Sequence, residues 1–201
     1  MGKIREFFGA LGERKKISSV QLMTERGNGF YAWNGKMYES DIVRACIRPY
    51  VKAVGKLVGK HIRDQTLKDG KKSLAVNPEP YIRFLLEEPN PYMTGQMLQE
   101  KLAAQLILNN NAFALIQRDE LGYPSAIYPV DATNAEAIYG QDGALFLRFY
   151  LENGKTFVFA YTDIIHLRGD FLRNDIFGDP LAPALEPLMQ IVTTTDQGII
   201  K

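Results

Sequence analysis

The stretch that most constrains this chain is Pro89–Asp119, PNPYMTGQMLQEKLAAQLILNNNAFALIQRD, which reads as a turn, a helix and a strand in direct succession. Thr94 is placed to cap the helix, its hydroxyl taking up one of the free N–H groups of the first turn. Met97, Leu98, Leu102 and Leu106 form an apolar stripe, while Gln96, Gln99 and Glu100 keep one side wet. From Leu102 to Leu108 only Gln105 is polar, and a helix apolar all round is expected to be enclosed on every side. Asn109–Asn111 break it, and Ala112–Gln117 continues as a short apolar run suited to a buried strand. The pattern predicts that this unit forms the middle of the core.

From there the chain runs through a series of short β segments: Ala112–Gln117, Ser125–Val130, Ala135–Tyr139, Ala144–Leu151, Thr156–Tyr161 and Ile164–Leu167. Turns at Leu121-Gly122, Asp142-Gly143 and Asn153-Gly154 separate several of them by short connectors, which implies antiparallel neighbours. Helices lead and strands come after, so the expected class is α+β, with helices packed on an antiparallel meander.

Upstream, Asp41–Lys60 reads as one helix. Ile42, Val43, Cys46, Ile47, Tyr50, Val51, Val54, Leu57 and Val58 fall on one half, and Cys46 is expected there as a buried, inert thiol. Arg44, Arg48, Lys52, Lys56 and Lys60 recur at i+4 on the other half. Like charges at that spacing repel by roughly 0.2–0.5 kcal/mol per pair, so the ladder calls for solvent, an acidic neighbouring subunit or DNA phosphate. Pro49 should kink this helix or shift its start. Residues 62–80 read as strand or loop around Lys68–Lys71, Tyr81–Glu88 as a short helix stopped by Pro89, and Asn34-Gly35 between aromatic runs as a hairpin turn. Residues 1–20 form a basic arm, and residues 21–201 one domain. A helix beginning near Leu181 has no stop signal before Lys201, so the chain is expected to be the N-terminal part of a longer protein.

Chemistry finds little support. Gly27–Ala32 fits G-x-G-x-x-A, but a hairpin stands where the dinucleotide motif needs a helix. Gly55–Lys60 is one residue short of a phosphate loop, has His61 where Ser or Thr is needed, and lies in a helix; Gly55 and Gly59 are better suited to close packing. His61, His166 and Cys46 have no metal-ligand spacing. Asp163 and His166 are three apart, which on a strand sends them to opposite faces; His166 is expected to bond nearby backbone or line a subunit contact. Glu87 and Glu88 diverge at a helix end. No enzyme activity and no cofactor are expected. One cysteine fits a reducing compartment, and no run of ~18 apolar residues exists to span a membrane. Residues 41–72 hold nine Lys or Arg against Asp41, Asp64 and Asp69, in a chain of net charge +1. The loop Gly169–Pro183 carries Phe171 and Phe177 among charges, a pattern that suits docking on another surface or tucking onto its own domain.

The phrase Asn90-Pro91-Tyr-Met-Thr, the helix, and the strand opening Asn111-Ala-Phe resemble the portal proteins of tailed bacteriophages. YPV at Tyr128–Val130, DIIHLRG at Asp163–Gly169, FGDPLAPAL at Phe177–Leu185 and the helix of Ser40–His61 agree, in order, over about residues 30–200. The resemblance makes Asn90, Pro91, Asn111, His166, Gly169 and Gly178 structural motif positions. It implies a wing-like domain of a ring subunit, commonly one of twelve, at a capsid vertex of the virion. Its implied partners are further copies, double-stranded DNA passing through the channel, terminase, and capsid and tail connector proteins. Arg44, Arg48, Lys52, Lys56, Lys60, Phe171 and Phe177 are the candidate subunit or DNA contacts. The alternative is a DNA-binding module that uses the Arg44–Lys60 ladder.

Overall fold

Pro89–Asp119 lies at the centre of the molecule because its strand is apolar on both faces and needs a layer on each. The structure, a computed structural model, describes residues 40–67, 70–170, 172, 174–179 and 191, and the backbone of 20–22 and 29–31. The order is β1 (Val20–Leu22), β2 (Gly29–Tyr31), α1 (Asp41–Gly55), β3 (Ile62–Thr66), β4 (Lys72–Val76), α2 (Pro80–Glu87) and α3 (Gly95–Asn109). Then come β5 (Asn111–Arg118), β6 (Pro124–Val130), β7 (Asn134–Gly140), β8 (Leu145–Tyr150), β9 (Thr156–Ala160), a 3-10 turn (Tyr161–Asp163) and β10 (Ile164–Arg168). All six β runs expected from the sequence are strands, and the class is α+β.

The strands form two sheets and a separate hairpin rather than a single meander. A three-stranded sheet has the order β10-β5-β6; a second joins β1, β7, β8 and β9, with β2 also on β7; β3 and β4 pair alone. Every pairing is antiparallel. The 3-10 turn ends the β7–β9 run and lets β10 cross back to the edge of β5.

Alternation along β5 divides the core in two. Phe113 and Leu115 join Leu147, Phe149, Phe157 and Phe159 between the two large sheets. Ala112 and Ala114 join Leu85, Leu98, Leu102 and Ile127 on the helical side. Small residues on that face let α3 lie close to the strand. Each fully buried large side chain contributes about 1.5–3 kcal/mol, so this strand anchors both halves.

Thr94 caps α3 as expected, its hydroxyl accepting from the Met97 N–H at 3.4 Å. Enclosure on every side does not hold: Leu98, Leu102 and Ala103 are buried, but Met97 is exposed and residues 104–109 are only half-buried. Its contacts among the described elements are the β10-β5-β6 sheet on one flank, α1 on another and α2 beside it, which leaves part of the cylinder open.

The first helix differs more. It runs through Pro49 but stops at Gly55, with Lys56 as its C-cap, so Lys60 lies outside it. A Cβ on Gly55 would come within 2.5 Å of Glu100 Cγ, so the close packing expected of this glycine is real; Gly59, with only ordinary contacts at 3.8 Å, has no such need. Cys46 is exposed, against expectation. Val43, Ile47, Val51 and Val54 are the half-buried residues, whereas Ile42 and Tyr50, on the same side of the wheel as Cys46, are open. Among the described elements the apolar arc is wider than α3, its main partner.

Residues 62–80, read as strand or loop, contain the antiparallel pair β3–β4. Gly122, Gly143 and Gly154 all take positive φ at the three turns read from the sequence. The Asn34-Gly35 turn, all but the last residue of the arm of residues 1–20, and nearly all of the helix from Leu181 fall outside the described residues; of the G-x-G-x-x-A segment, Gly29–Tyr31 is described and is a strand.

Candidate functional site

The end of α3 creates the most constrained polar cluster of the molecule. Asn110 takes the left-handed conformation at φ 52° and its N–H caps the helix on Leu106 O at 2.8 Å. Asparagine tolerates that region better than most residues. Its carbonyl accepts from Gly169 N–H at 2.9 Å, and its Nδ2 donates to Asp179 O at 2.9 Å. Asn111 comes next as the first residue of β5, only 1% exposed. Its Nδ2 donates to Asn109 O at 3.1 Å and Gly178 O at 3.0 Å; its Oδ1 accepts from Gly178 N–H at 2.8 Å.

His166, on β10, completes the cluster. Nε2 lies 3.0 Å from Asn111 Oδ1 and Nδ1 lies 3.2 Å from the Tyr161 hydroxyl. Since Oδ1 is an acceptor, Nε2 carries the proton and Nδ1 accepts from Tyr161. The ring stacks on Phe113, with centroids 4.4 Å apart. Burial first, and the Arg168 charge second, push its pKa down from 6.5 to about 3. It is therefore neutral at pH 7 with both nitrogens engaged, and it has no spare lone pair for general-base work. Asp163 is committed elsewhere, to Arg118 at 3.0 Å.

Two glycines make the cluster possible. A Cβ on Gly178 would fall 2.1 Å from Asn110 O and 2.4 Å from Gly169 O; one on Gly169 would fall 2.8 Å from Asn110 Oδ1. Asn90 does a similar job at the start of the unit. Its Nδ2 donates to Ile127 O at 2.7 Å and its Oδ1 accepts from Tyr92 N–H at 3.0 Å, tying the turn at Pro91 to β6. The motif asparagines and glycines thus hold loops against the central strand.

The candidate contact residues are dispersed. Arg44 pairs with Asp41. Lys52 donates to Glu100 Oε2 at 2.6 Å, and that bond, with one from Gln96, holds the Glu100 carboxyl below its usual range. Arg48, Lys56 and Lys60 are exposed, but the early end of the helix takes Lys60 off the ladder. Phe177 is corrected outright: it is 1% exposed and packs on Phe113 and His166, so it is core and not a docking residue. Phe171 lies outside the described residues; its neighbour Leu172 is 94% exposed. Among the described residues, no three His, Cys, Asp or Glu gather to hold a metal, and no helix is long and apolar enough to cross a membrane. Sequence reading misses Asn110, Tyr161 and Gly95, whose Cβ would strike Leu86 O at 2.0 Å; only the run of three asparagines hints at the first.

A family profile described as phage portal protein matches residues 41–200. The chain belongs to the phage portal protein family. The portal protein of Enterobacteria phage HK97 is 28% identical over 118 residues, 59% of this chain and 27% of that protein. A solved structure titled as the neck of an empty GTA particle, computed with C6 symmetry, aligns at TM-score 0.65 and 14% identity, over 96% of this chain and 51% of that one. The virion of a native gene transfer agent particle aligns at 0.62 and 13%, over 96% and 50%. The neck of a native GTA particle computed with C12 symmetry aligns at 0.61 and 14%, over 88% and 48%. At these identities the structures establish a shared fold. The chain spans about half the length of the solved relatives and the match about a quarter of the HK97 protein. Asn90, Asn111, His166, Gly169 and Gly178 all hold structural contacts in this fold.

Proposed function

We propose that this portal chain is the wing-like part of a structural subunit that joins further copies in a ring at the capsid vertex of a virion. Double-stranded DNA passes through the ring during packaging and ejection. The same ring is the docking platform for terminase during assembly in the host cytoplasm, and for tail connector proteins afterwards; it also sits in the capsid shell. The family match along residues 41–200 carries this reading. The C6 and C12 symmetries of two similar structures support a ring, with twelve copies the expected number. The saturated Asn111–His166–Tyr161 cluster supports a passive role, since its hydrogen-bonding groups are consumed in holding loops.

Closing a ring asks each copy for two different surfaces that meet head to tail. Electron microscopy of the full-length protein tests the reading: rings with a central hole are expected, and particles that stay single under every assembly condition would overturn it. A DNA-gripping module built on Arg44–Lys60 has less support, because Arg44 and Lys52 are already paired and Lys60 is off the helix. Tight duplex binding by this chain at moderate salt, with a steep salt dependence, would reverse that preference.

A further inference from the structure

The β3–β4 hairpin is built in a way that a lone copy does not explain. Among the described residues it is a two-stranded sheet, a form marginally stable in water. One of its faces carries Ile62, Asp64, Thr66, Lys72, Leu74 and Val76, by the register Ile62↔Val76, Asp64↔Leu74 and Thr66↔Lys72. All six are exposed, Leu74 to 65%. On the opposite face Ser73 and Ala75 of β4 are half-buried, Arg63 pairs with Glu79, and Arg63 and Gln65 of β3 are exposed. Hairpins that stand alone usually put their apolar face inward; this one presents it outward. Leu57 and Val58, in the strap leading into β3, are exposed as well.

Charge says what kind of surface fits it. Residues 40–72 hold nine Lys or Arg and three Asp, a net +6; residues 119–179 hold ten Asp or Glu and four Arg or Lys, a net −6. The chain is close to neutral only because its two parts cancel. Within the acidic part, the β5–β6 turn is a tip of similar make-up and opposite sign: Asp119 and Glu120 beside Leu121, 82% exposed, and Tyr123, also exposed. Asp119 Oδ1 accepts from the N–H groups of Leu121 and Tyr123 at 3.0 and 2.8 Å, so the tip is preorganised.

We infer that the outward face of the hairpin, centred on Leu74 and Val76, is where a second copy of this chain docks, seating the acidic Asp119–Tyr123 tip of that copy. The inference deepens the ring reading and rests on it: hairpin and tip are the two unlike surfaces that a head-to-tail contact requires. Apolar centres meet while Lys60 and Lys72 face Asp119 and Glu120. Such complementarity sets orientation and encounter rate more than raw affinity.

The test uses the full-length protein with native thiols replaced, beginning with Cys46→Ser. One stock carries Val76→Cys, a second Leu121→Cys; the two are mixed, assembled and treated with a short bismaleimide. A covalent dimer formed only in the mixed sample is the expected result. Rings visible by electron microscopy without that product would overturn this interface and leave the ring reading intact; no rings from unsubstituted protein would overturn both. An intramolecular cross-link in doubly substituted monomers, or blocking of Val76→Cys by duplex DNA at low salt, would assign the face to another occupant and overturn the proposal. Independently, Lys60→Glu with Lys72→Glu should cut assembly about tenfold, and adding Asp119→Lys with Glu120→Lys should restore it. Failure of the second pair to restore assembly would count against the pairing.

Discussion

Around Asn111 the chain satisfies itself: a buried amide meets two carbonyls, one N–H and one imidazole, and two glycines let three backbone segments converge. In α1 and the β3–β4 hairpin, apolar side chains of the same quality stay open, among them Ile42, Tyr50, Ile62, Leu74 and Val76. The difference is one of partners, since both regions are rich in residues that prefer burial. The central cluster lies where β5, β10 and the loop after β10 meet. Among the described elements α1 packs mainly on α3 and the two strands of the hairpin pair mainly with each other. A region complete within one copy fixes the shape of the subunit; a region left incomplete is where assembly has free energy to gain.

The sharpest way to break this comparison is Asn111→Ala. It leaves the Gly178 N–H and carbonyl and the His166 Nε2 proton without their partner in a buried site, at roughly 1–3 kcal/mol for each group. A total loss of about 3–5 kcal/mol is expected in urea denaturation; under about 1 kcal/mol would mean that the cluster relaxes freely. Gly178→Ala should cost about 2–3 kcal/mol through overpacking against Asn110 O, in the same measurement.

The imidazole gives a pH signature. Its folded pKa of about 3 lies below the usual 6.5, so between those values the unfolded chain binds the proton and the folded chain does not. The contribution is fully present above pH 6.5 and declines by about 1.4 kcal/mol per pH unit as pH falls toward 3. Imidazole NMR at pH 5 should show a neutral His166 in the folded chain; an imidazolium signal would break the description of the cluster. The smallest effect sharpens the other side: Leu74→Ser should change the stability of the isolated chain by less than about 0.5 kcal/mol, while lowering ring yield of the full-length protein. A large loss of stability in the isolated chain would mean that Leu74 is part of its core.

Much of this is legible in linear order. The Thr94 cap, the asparagine break, six strands and three glycine turns arise from signals within a few residues of each other. The α1 face misleads for a related reason: periodicity identifies an apolar arc but not how many neighbours arrive to cover it, so Cys46 reads as buried. Phe177 misleads in the opposite sense, because an aromatic among charges looks exposed until a distant strand supplies Phe113 and His166.

Capping, turn chemistry and alternation act over a few residues, so most elements, the α+β class and the family resemblance follow from linear order. Tertiary structure alone decided the two-sheet division, the role of His166 and which apolar residues stay open. Those outcomes depend on groups such as Asn111 and Gly178, 67 residues apart, meeting at a contact that no local pattern encodes.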